Sequence, residues 1–288
     1  MNSFGWLPPT PEKQEDNDRY QVRSLRYKAP AVVEKSFSYN PSWVDEMDQG
    51  NIGACVGYSC SWMMSYYNSK LYNSYRLYKQ AQKDDGDPNT SGDNDGAYLW
   101  SAGSVLKKRG HALYNTDTFL LEEGVASYYW AKTVDEIRVA CDLNRPPVFG
   151  IPWFSSFSSP SGGWIGENSS WGSILGGHAI WLQACSDSKV GPKGNRGAVA
   201  LLNTWGKGWN GGNPVWISYK SIERLFTYQS ECMVVLDRSL TPVPTSASAS
   251  ASPSIVPPDE DKIVIPGMEI IWPDGTTKTY AGELERVK

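Results

Sequence analysis

Leu201-Leu202-Asn203-Thr204-Trp205-Gly206-Lys207-Gly208-Trp209-Asn210-Gly211-Gly212 is the most informative stretch of this sequence. Its apolar start, Ala198–Thr204, reads as a buried strand. The run ends at Asn203, ordinarily a turn residue, with Trp205 just past it. A neutral Asn carbonyl can accept an imidazole Nδ1–H and so fix the ring's tautomer. A Trp close by can shield that bond from water. The stretch therefore asks for a histidine, and the chain has only two. His178 lies in Gly176-Gly177-His178-Ala179-Ile180-Trp181-Leu182, where an imidazole entering an apolar strand after two glycines is buried and positioned. His111 follows Lys107-Lys108-Arg109-Gly110, a basic helix end with a glycine stop, and reads as a solvated surface-turn residue.

A positioned imidazole needs something to act on. Cys55 ends the small-residue loop Gly50-Asn51-Ile52-Gly53-Ala54 and opens a helical stripe of Val56, Cys60, Met63, Met64 and Tyr67. A cysteine at a helix N-terminus faces unpaired N–H groups and the positive end of the dipole. Both favour thiolate, the nucleophilic form, so its pKa is expected below the free value of ~8.5. Gln49, in the same loop, offers a side-chain amide that could donate to an oxyanion. The order is Cys55, His178, Asn203: a nucleophile, a base and the group that orients it. Cys60, Cys141, Cys185 and Cys232 read as inert buried thiols.

His178 lies about 120 residues and Asn203 about 150 residues after Cys55, against roughly 130–150 for the papain and cathepsin pattern. Over about residues 41–237 the sequence resembles the papain-like cysteine peptidases. The likeness rests on Asp48-Gln49-Gly50 with Gly53-Ala54-Cys55, on Gly177-His178-Ala179, and on Asn203–Trp209 followed by Val215-Trp216-Ile217. It implies a thiolate–imidazolium pair of Cys55 and His178, Asn203 as orienter, Gln49 in the oxyanion hole and Trp205 over the His–Asn bond. Asn94-Asp95-Gly96 resembles the glycine-bearing edge that pairs with substrate backbone, so Gly96 and Trp205 are the expected substrate-binding residues. The sequence departs from the family at two points. Ile52 stands where a disulfide-forming cysteine is usual, and Val56 stands where a Trp is usual. Only 54 residues precede Cys55, too few for the long helical inhibitory segment of secreted members. Gly5-Trp6-Leu7-Pro8 instead resembles a bacterial and bacteriophage-type branch with short arms.

The rest of the chain fits an α+β architecture. A second helical stripe is Tyr98, Ala102, Val105 and Leu106, and Thr133-Val134-Asp135-Glu136 is a capping box opening a third helix. Strand-like runs follow at Val148–Trp153, His178–Cys185, Ala198–Thr204, Val215–Ser218 and Cys232–Leu236. The expected fold is therefore two-lobed and papain-like, a helical lobe and a β-rich lobe with the active-site cleft between them. Residues 1–40 read as an N-terminal arm and 41–238 as the peptidase domain. Residues 239–262 form a Ser/Ala/Pro-rich linker. Residues 263–288 form a small β-hairpin-like module around Pro273-Asp274-Gly275, too short for its own core and a docking element for a protein partner.

Composition narrows the function. A net charge of −4 leaves no basic field for nucleic acid, and no apolar run approaches the ~18 residues of a membrane span. Five cysteines in odd number, with no secretory leader evident, point to a reducing, cytoplasmic setting, a host cytoplasm or a virion if viral. The acidic stretch Asp84–Asp95 fails the EF-hand register, and no zinc spacing, P-loop or G-x-S-x-G elbow is found. No metal or cofactor is expected. The expected activity is hydrolysis of a protein or peptide substrate through an acyl-enzyme. A catalytically silent binding or assembly protein of the same fold, and a thiol hydrolase of non-peptide amides, are the alternatives.

Overall fold

The loop before Cys55 gives way to helix α1, Cys55–Asn68, as the stripe predicts. Every residue from Cys55 to Ser65 except Tyr58 is buried, so the helix is enclosed all round. The structure is a computed structural model that describes residues 4–13, 22 and 30–237, and the backbone of 262–271 and 277–285. Helix α2, Ser74–Asp85, follows and is capped by Asn73, whose side chain accepts from the Arg76 N–H. Helix α3, Leu99–Lys108, buries Ala102, Val105 and Leu106 and ends in Lys107 and Lys108. Helix α4, Val134–Asp142, has Thr133 accepting from the Glu136 N–H. The Glu136 carboxylate reaches back to the Lys132 N–H at 2.5 Å, one residue beyond the usual capping-box target. A short α5, Tyr219–Phe226, is capped by Ser218.

Strands β1 (Trp6–Leu7), β2 (Glu34–Ser36), β3 (Ala97–Tyr98), β4 (His111–Ala112) and β5 (Phe119–Leu120) are short. The larger ones are β6 (Val125–Trp130), β7 (Val148–Phe154), β8 (Ile174–Val190), β9 (Arg196–Leu202), β10 (Val215–Ser218) and β11 (Glu231–Asp237). They form one antiparallel sheet in the order β10-β9-β8-β7-β11-β6, with β2 paired to β8. The long β8 is shared along its length. Its first part, Ile174 to Trp181, pairs with β7, and from Trp181 onward it pairs with β9. Trp62 of α1 stacks on Trp181 of β8 at 6.4 Å, both fully buried, which fixes the helix on the sheet.

His111 corrects the sequence reading. It is fully buried rather than solvated. The glycine stop is present, with Gly110 at φ 81°, but the chain then turns inward into β4. The His111 Nδ1 accepts from the Ala112 N–H at 2.9 Å, which puts the ring proton on Nε2, 2.8 Å from Ser61 Oγ. Tyr72 stacks on the ring at 4.5 Å. Burial pushes its pKa down to about 3, so it serves as a neutral core residue.

The C-terminal unit is a separate two-stranded antiparallel ribbon of β12, Lys262–Ile271, and β13, Thr277–Glu285, with a register shift between Ile265 and Met268. The Pro273-Asp274-Gly275 turn, Trp272, and the expected linker up to residue 261 lie outside the described residues. Among the described residues no helix is long and apolar enough to cross a membrane.

Candidate active site

Cys55 is the first residue of α1, and Ala54 before it gives no side-chain cap. The leading amides of the helix are therefore left to other partners, the sulfur among them. The loop that delivers Cys55 is tied on both sides. Gln49 donates its backbone N–H to Thr204 O at 2.9 Å, and its Oε1 accepts from Thr204 Oγ1 at 2.5 Å. Its Nε2 donates to Ile52 O at 2.7 Å. On the opposite flank Gly53 N–H donates to Asp93 O at 2.7 Å. One turn into α1, buried Ser59 donates to Ala179 O at 2.9 Å, and the Ala179 N–H donates to Cys55 Sγ at 3.3 Å. The residue after His178 thus grips α1 twice.

His178 and Asn203 meet as the sequence predicts, through the other nitrogen. The imidazole Nε2, not Nδ1, lies 2.7 Å from Asn203 Oδ1. Asn203 follows the last residue of β9, and its Oδ1 also accepts from the Thr204 N–H at 2.7 Å, which fixes the amide orientation. With only a carbonyl oxygen facing Nε2, the proton sits on Nε2 and Nδ1 is the basic atom. Trp205, nearly buried, lies over the imidazole at 4.6 Å between ring centroids. Trp153 of β7 packs edge-on to the same ring at 4.9 Å and to Trp205 at 5.0 Å. Trp153 is absent from the sequence-based site. Its signal is the apolar run Val148–Trp153, which reads as ordinary core.

A strand of the chain's own N-terminus occupies the site, a feature the sequence reading does not contain. Gly5 donates its N–H to Gly177 O at 2.9 Å on the sheet side, and its carbonyl accepts from the Ala97 N–H at 2.7 Å on the helical side. Next to it β1 pairs in parallel with β3, Trp6 with Ala97 and Leu7 with Tyr98. Gly96, at φ 79°, borders this crossing, where a Cβ on it would lie 2.6 Å from Gly5 O. The predicted substrate edge is therefore occupied by the arm. Phe4 stands edge-on to His178 at 6.2 Å and to Trp205 at 5.8 Å. The aromatic–glycine–aromatic order of Phe4-Gly5-Trp6 is the signal that could have shown this. A cavity of about 870 Å³ lies beside α4 and α5, among Lys132, Arg138, Asp187, Arg196, Tyr219 and Lys220.

The covered site corrects the expected thiolate. Burial pushes the Cys55 thiol up to about 12, although the N–H groups of Ala179, Gly5, Val56 and Cys55 itself pull the other way. Burial likewise lowers His178 to about 4, against the opposing effect of its bond to Asn203. Its Nδ1 has no hydrogen-bond partner among the described residues. Under the arm the pair is thiol and neutral imidazole. Desolvation outweighs the helix N-terminus because no water reaches the sulfur.

Solved structures share this fold. The structure superposes on xylellain, a cysteine protease from Xylella fastidiosa, with a TM-score of 0.57 at 16% identity, covering 81% of this chain and 96% of that one. It superposes on digestive procathepsin L 3 of Tenebrio molitor larval midgut with a TM-score of 0.53 at 14% identity, covering 76% and 74%. The chain has the papain-like fold. An uncharacterized peptidase C1-like protein of Acanthamoeba polyphaga mimivirus is 21% identical over 254 residues, 72% of this chain and 78% of that protein. No family model matches the chain. All five cysteines are free and buried. Among the described residues no group of three or more His, Cys, Asp or Glu is placed to hold a metal ion.

Proposed function

We propose that this chain is a papain-like cysteine peptidase whose N-terminal strand covers its own active site. The observation that carries the reading is the 2.7 Å bond from His178 Nε2 to Asn203 Oδ1, made beside a cysteine that opens a helix and touches the residue after that histidine. Once the strand leaves and water enters, Cys55 gives its proton to His178 Nδ1. The thiolate attacks the scissile carbonyl. The Cys55 N–H and the Gln49 amide hold the oxyanion. His178 passes the proton to the leaving amine and then takes one from the water that hydrolyses the acyl-enzyme, and Asn203 holds the ring throughout.

The substrate edge at Gly96 and the ring of Trp205 would receive peptide where Gly5 and Phe4 now lie. Gly5-Trp6-Leu7-Pro8 supports placing the chain with the bacterial and bacteriophage-type branch, and the free cysteines support a reducing, cytoplasmic compartment. Residues 263–288 would serve a protein partner, so truncation after Arg238 should leave peptide hydrolysis intact.

The test is cleavage of a denatured protein by the full chain and by its Cys55→Ala variant, with an epoxide thiol trap run in parallel. Trapping at Cys55 together with cleavage that Cys55→Ala abolishes is the expected result. Trapping without cleavage of any peptide bond would leave a thiol site of other use and refute the peptidase reading.

A further inference from the structure

Arg145, between α4 and β7, is a buried charge that the rest of the fold does not pair. It is 8% exposed. Its backbone is held firmly: Asn144 leaves α4 at φ 57°, the Arg145 N–H donates to Ala140 O at 2.8 Å, and Pro146 and Pro147 stiffen the chain beyond. Arg138, on α4 itself, shows how an arginine is ordinarily kept inside. Its Nε and Nη2 donate to the two oxygens of Asp187 at 3.0 and 2.7 Å, and its Nη1 to Asp135 at 2.9 Å. Among the described residues no hydrogen bond reaches the Arg145 guanidinium, and its Nε is sealed from the surface. A guanidinium stays charged in any protein setting, and an unpaired buried charge is among the costliest features a fold can carry. The Tyr129 phenol of β6, 3% exposed, is sealed in the same region and lacks a hydrogen bond within ordinary limits, though the Ser127 hydroxyl acts on it. Tyr67, near the end of α1, is the third polar group here. Burial pulls Arg145 below the ordinary arginine pKa, and the Tyr67 and Tyr129 phenols act against that. Tyr67 and Cys55 stand near opposite ends of α1, roughly 18 Å apart by the helix rise, so this place lies outside the cleft.

We infer that Arg145 and Tyr129 form a site for a small free oxyanion, one of the phosphate, sulfate or carboxylate class, separate from the peptidase site. The donors fit that chemistry. The guanidinium fork offers parallel N–H groups to two oxygens of one ion, and the Tyr129 O–H donates a further bond. A fixed positive charge repels a metal ion or an amine, so charge alone settles the class of ligand. The narrow opening, 8% of the arginine, suits an ion of a few atoms. Bound there, the anion pairs the charge and ties the α4–β7 connection to α1 and β6. The inference stands whether or not the cleft cuts peptides.

The test is the melting temperature of the full chain at pH 7, with phosphate, sulfate or acetate exchanged for chloride at fixed ionic strength. At least one of the three should raise it saturably, by about 3–5 °C at ten times the half-saturating concentration. Which of them does so identifies the oxyanion. Arg145→Met removes the charge and keeps an apolar stem. It should abolish the rise and, in chloride alone, melt no lower than the unaltered protein, because an unpaired buried charge has been taken out. Should Arg145→Met fail to fold, Arg145→Lys keeps a charge without the fork and should raise the half-saturating concentration about tenfold or more. Tyr129→Phe should raise it about threefold or more. A rise that never saturates, or one of equal size in Arg145→Met, is the general effect of such salts on any fold and overturns the inference. No rise with any of the three anions overturns it, and so does a Tyr129→Phe midpoint equal to that of the unaltered protein.

Discussion

Substituting Gly5 by valine should open the active site. An ideal Cβ at this position lies 1.8 Å from Gly53 O, 2.3 Å from Gly53 C and 2.6 Å from Gly53 Cα. All three atoms are backbone, in the loop pinned by the Gly53 N–H to Asp93 O bond, so the strand and not the loop must move. The strand's hold can be sized from its contacts. Trp6, 4% exposed, buries ~200 Å², worth ~5 kcal/mol, and half-buried Phe4 adds ~2 kcal/mol. Three hydrogen bonds, from Gly5 to Gly177, from Ala97 to Gly5 and from Trp6 to Glu231, contribute ~1 kcal/mol each. Ordering four residues and two aromatic side chains costs ~8 kcal/mol. The net hold is ~2 kcal/mol, an open fraction of a few per cent. Gly5→Val should remove that hold and speed alkylation of Cys55 at pH 7 by about 30-fold. The measurement is the pseudo-first-order labelling rate of folded protein, with circular dichroism to show that α1 and the sheet persist. A Gly5→Val rate within twofold of the unaltered protein, with the fold intact, would mean the strand does not control access and the covering role is wrong.

Gln49→Ala should reduce kcat by about 10²–10³ in peptide hydrolysis. It should also lower the melting temperature by roughly 2–4 °C or more, because Thr204 Oγ1 and Ile52 O each lose a partner; a variant with unchanged kcat would take Gln49 out of the oxyanion hole. Asn203→Ala frees the imidazole to rotate and change tautomer, and should cost about 10²-fold in kcat/KM with Cys55 still alkylated. Acid should destabilise the fold through both histidines. Their folded pKa values, about 4 for His178 and about 3 for His111, lie below the ordinary 6.5. The unfolded chain therefore binds more protons, and the stability they give is complete above pH 6.5 and lost as pH falls through that value towards 4 and then 3. For His178 the loss is about 3 kcal/mol. Urea midpoints at pH 7 and pH 4.5 measure it, His111→Gln should flatten the dependence, and a flat curve in the unaltered protein would contradict it.

The placing of the site was legible because each of its parts carries a local physical demand. A cysteine after a small-residue loop and before a helical stripe, a histidine entering a strand after two glycines and an asparagine ending an apolar strand are all short-range patterns. The structure brings Cys55, His178 and Asn203 together. What was not legible depends on long-range placement. Helix α2 carries mostly polar residues, and its burial of Leu77, Tyr78 and Ala81 comes from its neighbours. His111 looked like a surface residue because the glycine stop says where a helix ends and not which way the chain then goes.

The thiol pKa is the instructive failure. A helix N-terminus does favour thiolate, and the local argument for Cys55 was sound as far as it went. Its sign was reversed by residues some fifty positions away that supply no charge at all. Gly5 fits over the loop because it has no side chain, and Phe4 and Trp6 on either side pack against the site and keep water out. Without water the desolvation of a sulfur anion exceeds what four N–H groups return. The helix N-terminus would favour a thiolate at Cys55 in water, and the strand's cover reverses that preference. In the proposed function the difference between the two states is the position of one short strand, Phe4 to Leu7, whose glycine and aromatic residues decide whether water reaches the sulfur.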